Sequence, residues 1–115
     1  MDNGIWLRIA TDFSEIPGGR GRDEGDHSGE EFREEHLEPR FAEALERGAI
    51  LYVDLDGVEG YATSFLEEAF GGLTRKYSGR LTPDEITRRI QFKSDEVHSF
   101  VAECHKYIRE ANDKK

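Results

Sequence analysis

The chain has 115 residues, 36% of them hydrophobic and 36% charged, with a formal net charge of -9 at pH 7. That length suits one domain around one core and leaves no room for a second, and the acidic balance speaks against a nucleic-acid backbone or an anionic membrane as partner, since either needs a basic footprint. No window approaches the roughly 18 apolar residues of a membrane span, and no basic segment followed by an apolar run opens the chain, so it is expected to be soluble and cytoplasmic.

Ile5 to Ala10 alternates Ile5, Leu7 and Ile9 against Trp6 and Arg8, the pattern of a half-buried strand at or next to a sheet edge, with Trp6 on the outer side beneath a helix. Residues 17–29 read P-G-G-R-G-R-D-E-G-D-H-S-G. Glycines let backbone amides approach an anion, and Arg20 and Arg22 offer forked donors to phosphate or carboxylate, so one reading is an anion-binding loop; the other is a turn or mobile connection. The stretch fits neither the P-loop nor the dinucleotide fingerprint.

Ser28 and Glu31 have the spacing of a capping box and predict a helix start. Pro39 should divide that helix into one piece near Glu30 to Leu37 and another near Pro39 to Arg47, with Phe32, Leu37, Phe41, Ala44 and Leu45 inward and Gly48 as the stop. His27 and His36 lie among carboxylates but lack a metal-ligand spacing, so no metal or other cofactor is implied.

Ile50 to Leu73 reads I-L-Y-V-D-L-D-G-V-E-G-Y-A-T-S-F-L-E-E-A-F-G-G-L. A β-rich run, buried on both faces at the centre of the sheet, turns through Gly57 and Gly60 into an amphipathic helix. Ser64 and Glu67 repeat the Ser-x-x-Glu spacing, placing the helix start at about Phe65, with Leu66, Ala69, Phe70 and Leu73 inward.

Thr82, Pro83 and Glu85 supply an N-cap, a first-turn proline and a capping-box Glu for a short helix to about Arg89. Ile90 to Lys93 alternates as a strand, and Ser94 should cap a last helix from about Asp95 to Glu110, with Val97, Val101, Cys104 and Ile108 inward. Arg88, Arg89 and Lys93 make a small cationic run among acidic neighbours, a solvated face or a basic patch. The lone Cys104 forms no internal disulfide and reads as core, and residues 111–115 as a frayed tail. The element order predicts a single α/β domain over residues 1–115, helices on a small mixed β-sheet.

The stretch D-L-D-G-V-E-G-Y-A-T-S-F-L-E-E-A-F resembles the strand, loop and helix start of STAS domains, the fold of bacterial anti-sigma factor antagonists. Small bacterial STAS-like proteins of unknown function are similar to the chain in S-F-L-E-E-A-F-G-G-L, in P-G-G-R and in S-G-E-E-F-R-E-E-H-L. In the antagonists a kinase phosphorylates a hydroxyl at this helix start, which the resemblance carries to Ser64, with Thr63 before it. Ala62 stands where the antagonists commonly have Asp, and Phe65 where they commonly have Gly. The resemblance implies a non-enzymatic regulatory module with a protein partner, a kinase-like ATPase, that docks on Gly57, Gly60, Tyr61, Thr63, Ser64 and Phe65, the aromatics serving as anchors where exposed.

D-L-D-G-V also resembles the first motif of haloacid-dehalogenase-type phosphatases, in which Asp54 would be the nucleophile and Asp56 the general acid around magnesium. Residues two apart at a strand end point the same way and can share a metal. The alternative is that Asp54 and Asp56 end the strand and accept turn amides. Three functions thus stand at this point: a protein-interaction module switched at Ser64, an anion- or nucleotide-binding module through Arg20 and Arg22, and a magnesium-dependent phosphatase. Sequence does not set the oligomeric state.

Overall fold

The computed structural model describes residues 4–96 and 98–111. Val97, expected on the inner face of the last helix, and the tail beyond Ala111 lie outside the described residues. Three strands, β1 (Ile5–Arg8), β2 (Leu51–Asp54) and β3 (Ile90–Lys93), form a sheet in the order β1-β2-β3. The expected α/β class holds, with β2 central and β1 at an edge. Both pairings are parallel, aligning Leu7, Val53 and Phe92 across the sheet, so the pairing is uniform where a mixed sheet was expected. β1 and β2 each lead into a long helical crossover, residues 9–50 and 55–89, and such crossovers return the chain in the same direction.

Side chains alternate across the strands. Leu7, Leu51, Val53 and Ile90 are buried, whereas Trp6, Tyr52 and Asp54 are only half-buried, so β2 is enclosed on one face rather than two. Trp6 finds its cover within the sheet: its ring stacks on Tyr52 at 5.0 Å between centroids and carries the Arg8 guanidinium at 4.8 Å. β1 stops at Arg8, because Ile9–Phe13 forms a π-helical turn and the Asp12 carboxylate accepts the Arg8 amide at 2.9 Å.

In the first crossover the Ser28 hydroxyl accepts the Glu31 amide and opens α1 (Gly29–Phe32). The helix runs on through a π-helical turn (Arg33–Leu37) into α2 (Glu38–Arg47). Pro39 therefore does not break it. The wide turn just before it accommodates a residue with no amide hydrogen and a ring that would crowd the preceding turn. Gly48, at φ 64°, ends α2 in the left-handed conformation.

The second crossover contains α3 (Thr63–Leu66), a π-helical turn (Glu67–Gly71), α4 (Gly72–Lys76) and α5 (Pro83–Arg89). Both bonds of the Thr82 and Glu85 capping box form. The last helix, α6, spans Ser99–Ala111, so it begins four residues after the expected Asp95 and takes in Ala111, read above as tail. Ser94, the expected cap, stands five residues before that start, and its hydroxyl donates to Asp56 Oδ1 at 3.0 Å. Phe32, Phe41, Phe65, Phe70, Leu73, Ile86, Cys104 and Ile108 fill the space between the helices and the buried sheet face.

Gly29 is where α1 and α3 come closest. A Cβ there would lie 2.7 Å from the Phe65 carbonyl oxygen, a backbone atom that cannot swing aside. Gly29→Ala should therefore destabilise the protein by about 1–3 kcal/mol, the usual range for overpacking, as read from urea unfolding. An unchanged midpoint would show that the two helices have slack.

Candidate functional site

The site expected from sequence is the end of β2 and the start of α3. Asp54 Oδ1 accepts the Asp56 amide at 3.0 Å, a local turn of the kind aspartates favour. The Asp56 carboxylate then reaches the segment after β3, accepting the Ser94 hydroxyl at 3.0 Å and the amides of Asp95 at 2.7 Å and Glu96 at 3.2 Å. Partial burial pushes the Asp56 carboxyl upward, but these donors outweigh it and hold the pKa below the usual value. Glu96 returns a bond, its carboxylate accepting the Gly57 amide at 3.2 Å. Gly57 sits at φ 90°, a conformation that favours glycine. Asp54 and Asp56 thus join the ends of β2 and β3, the turn-forming role. Among the described residues no group of three or more His, Cys, Asp or Glu side chains is placed to hold a metal ion.

Beyond the turn the backbone enters α3 two residues earlier than the Ser64 box implied. Ala62 is the N-cap: its carbonyl accepts the amides of Phe65 at 3.0 Å and Leu66 at 3.2 Å, and no side chain caps the helix. Ser64 is instead the second helical residue, half-buried, and its hydroxyl meets no hydrogen-bond partner among the described residues. Thr63 beside it is exposed, as are Gly57 and Gly60.

The two aromatics face the other way. Phe65 is fully buried against Phe32 and Tyr61, and so offers no anchor to a partner. Tyr61 is half-buried and donates its hydroxyl to the Leu55 carbonyl at 2.7 Å. Burial, with Cys104 and Asp54 nearby, raises its pKa far above the usual phenol range.

Glu67, expected to complete the Ser64 box, has stronger partners. It is only 7% exposed, and its carboxylate accepts Nη1 of Arg20 as well as Nη1 of Arg75 at 2.7 Å. Burial alone would raise its pKa, yet the hydrogen bonds from Arg75 and then Arg20 bring it down to about 2. Arg20 also lies 3.5 Å from Glu68, whose other oxygen pairs with Arg33 at 2.9 Å. Arg22, the other arginine of the glycine-rich loop, pairs with Glu34 at 2.9 Å and Glu35 at 3.2 Å.

Both candidate anion-binding arginines therefore spend donors on the protein's own carboxylates. The loop itself is knit by bonds from the Gly18 amide to the His27 carbonyl and from the Gly29 amide to the Gly19 carbonyl, each 2.8 Å. His27 and His36 are aromatic neighbours of Phe13, their rings edge-on to it at 5.5 and 5.4 Å. Burial, then the positive charge of Arg40, lowers the His36 pKa. Cys104 is a buried core thiol, its pKa raised by burial.

The residue that sequence reasoning missed is Glu67 as a hub. The signal was the Gly71-Gly72 pair inside a helix, where glycine costs roughly 1 kcal/mol and so implies a packing reason. A Cβ on Gly71 would meet the Glu67 carboxylate at 2.6 Å, and one on Gly72 the Arg33 guanidinium at 2.6 Å.

Among known families, a model described as a STAS-like domain of unknown function (DUF4325) matches residues 28–100. No curated protein and no solved structure matches the chain. No described helix is long and apolar enough to cross a membrane.

The Glu67 cluster has a pH signature. A carboxyl whose pKa falls from 4.5 to about 2 on folding contributes stability that is complete above 4.5 and lost as pH falls toward 2. Glu67→Gln should cost about 1.5–3 kcal/mol at pH 7, the range for hydrogen bonds to charged groups. Its deficit against the parent protein should shrink through that acid window in urea melts. A deficit independent of pH would mean that the carboxylate charge is not what matters.

Proposed function

Because the chain belongs to the STAS-like family, we propose that it is a non-enzymatic regulatory protein-interaction module, resembling anti-sigma factor antagonists, that is switched by phosphorylation of Ser64. The observation that carries this reading is the state of the Ser64 hydroxyl. It sits in the first turn of α3 with no capping duty and no hydrogen-bond partner among the described residues, next to the exposed Gly57, Gly60, Ala62 and Thr63. A serine that stabilised the helix by capping would account for itself; this one does not.

The partner is a kinase-like ATPase. In the transfer, the γ-phosphoryl group leaves its bridging oxygen on ATP for Ser64 Oγ, ADP departs, and the hydroxyl proton passes to a base on the partner. The product places close to two negative charges at the positive end of a helix, which is locally favourable. The neighbouring carboxylates do not oppose it strongly, because Glu67 and Glu68 are already paired with Arg20, Arg75 and Arg33. What changes is the face shown to the partner: Gly57, Gly60, Thr63 and Ser64 bring no charge of their own before modification, and Ser64 brings an anionic group after it. Phe65 and Tyr61 shape that surface from beneath rather than touching the partner.

The test uses the full chain to capture partners from its native cell extract with ATP and magnesium, followed by intact mass. We expect an ATPase to be retained and a single-phosphate mass increase that disappears in Ser64→Ala. Ser64→Glu should bind the same ATPase roughly tenfold more weakly than the parent, a loss of about 1.4 kcal/mol. Equal binding by Ser64→Glu would sink the switch, and a phosphate that persists in Ser64→Ala would move it to Thr63.

A further inference from the structure

The cations of this acidic chain are not distributed evenly in their pairing. Among the described residues, the arginines of the glycine-rich loop, of the long helix 29–47 and of α4 each lie within ion-pair distance of a carboxylate. Arg80, Arg88 and Arg89 do not, nor do the more distant Arg8 and Arg109, although the chain carries 25 acidic residues against 16 Lys and Arg. Two of the three are held by neutral groups instead. Arg89 Nη1 donates to the Ala49 carbonyl at 3.4 Å, and the Arg80 guanidinium lies 4.8 Å from the Tyr77 ring centroid. A guanidinium has five N–H donors, so these contacts fix position while leaving donors open.

Arg88 and Arg89 border one concavity and Arg80 an adjoining one. A cavity of about 400 Å³ between the end of α2 and α5 is lined by Leu45, Leu81, Glu85, Arg88 and Arg89, and an adjoining one that shares Leu81 and Glu85 includes Arg80. Glu85 also lines the groove, but no ion pair joins it to them among the described residues; its carboxylate accepts the Thr82 amide at 2.8 Å and serves the capping box. The groove therefore combines an apolar floor from two leucines with guanidinium groups that have no carboxylate of their own, in a volume that suits a small molecule.

We propose that this groove binds a small organic anion, with its phosphate or carboxylate held by Arg88 and Arg89 and its apolar body against Leu45 and Leu81. The site is separate from the glycine-rich loop, whose arginines are already paired, and from the Ser64 surface.

The experiment is a titration of the full 15N-labelled chain, followed by NMR, with phenyl phosphate, with inorganic phosphate and with sodium chloride at matched ionic strength. The expected result is saturable movement of the Leu45, Leu81, Arg88 and Arg89 amides, with phenyl phosphate binding at least about threefold tighter than inorganic phosphate. Arg88→Gln, an exposed position that the fold does not need, should weaken phenyl phosphate about tenfold while Arg22→Gln leaves it unchanged. Shifts that follow ionic strength alone, equal affinity for the two phosphates, or binding retained in Arg88→Gln would each overturn the proposal.

Discussion

A carboxylate taken almost wholly out of water is costly unless cations and hydrogen bonds surround it, and the penalty amounts to several kcal/mol for an ion left alone. Glu67, 7% exposed, is in that position. Its partners come from two directions: Arg75 lies on α4, two turns along the same helical run, whereas Arg20 lies 47 residues earlier in the glycine-rich loop. Meeting the first demand needs only local geometry. Meeting the second requires residues 17–29 to fold back over α3, which in turn places Ser28 where it can open α1. The same cluster continues through Glu68 and Arg33 to Glu38, so the loop and both helical crossovers share one network of charge. Gly71 and Gly72 are its steric condition, since any side chain there would occupy the space of the Glu67 carboxylate or the Arg33 guanidinium.

The turn after β2 follows a similar logic with opposite chemistry. Parallel strands end on the same side of a sheet, so the loops after β2 and β3 emerge as neighbours. Asp56 uses that proximity, gathering two backbone amides and a hydroxyl from the 94–96 segment, while Glu96 answers to Gly57. Donors that would otherwise need solvent are satisfied, and the loop 57–60 is pinned without a regular ladder. A pair of aspartates at this spacing is compatible with metal chemistry in sequence. In the fold their lone pairs are directed at the protein backbone, and the surface left for function is the exposed chain beyond them.

What could be read from sequence follows from the range of the forces involved. The stripe Leu66, Ala69, Phe70 and Leu73 is wholly buried as its spacing predicts, because burying an apolar face depends on periodicity and little else. The capping box at Thr82 forms in full, and Gly48 ends its helix, because both are settled within a few residues. The Ser-x-x-Glu spacing at Ser64 has the same local form and fails. Glu67 finds two guanidiniums, which bind a carboxylate more strongly than a single backbone amide does, and the helix is capped at Ala62 instead. Ser94 likewise reaches a distant partner, Asp56, and α6 begins only at Ser99. Phe65 could not be placed by pattern alone: only the approach of α1, permitted by Gly29, turns the helix so that this ring lies within the core. Local spacing lists the available partners, and contacts distant in sequence choose among them.

That choice bears on how a modification at Ser64 would act. In a helix held only by its own capping box, a phosphate at the second position could be relieved by fraying the first turn, and a partner would sense disorder. Here the turn after Ser64 is anchored by Arg20 and Arg75 through Glu67, and Phe65 and Leu66 are both buried in the core. Fraying would expose two large apolar side chains, each worth about 1.5–3 kcal/mol of burial, and would strain the anchored carboxylate as well. The added charge would thus be displayed on a rigid surface, and its effect on a partner would come through repulsion and desolvation at the docking face rather than through loss of structure. The buried carboxylate one turn away would be the reason that the switch is electrostatic.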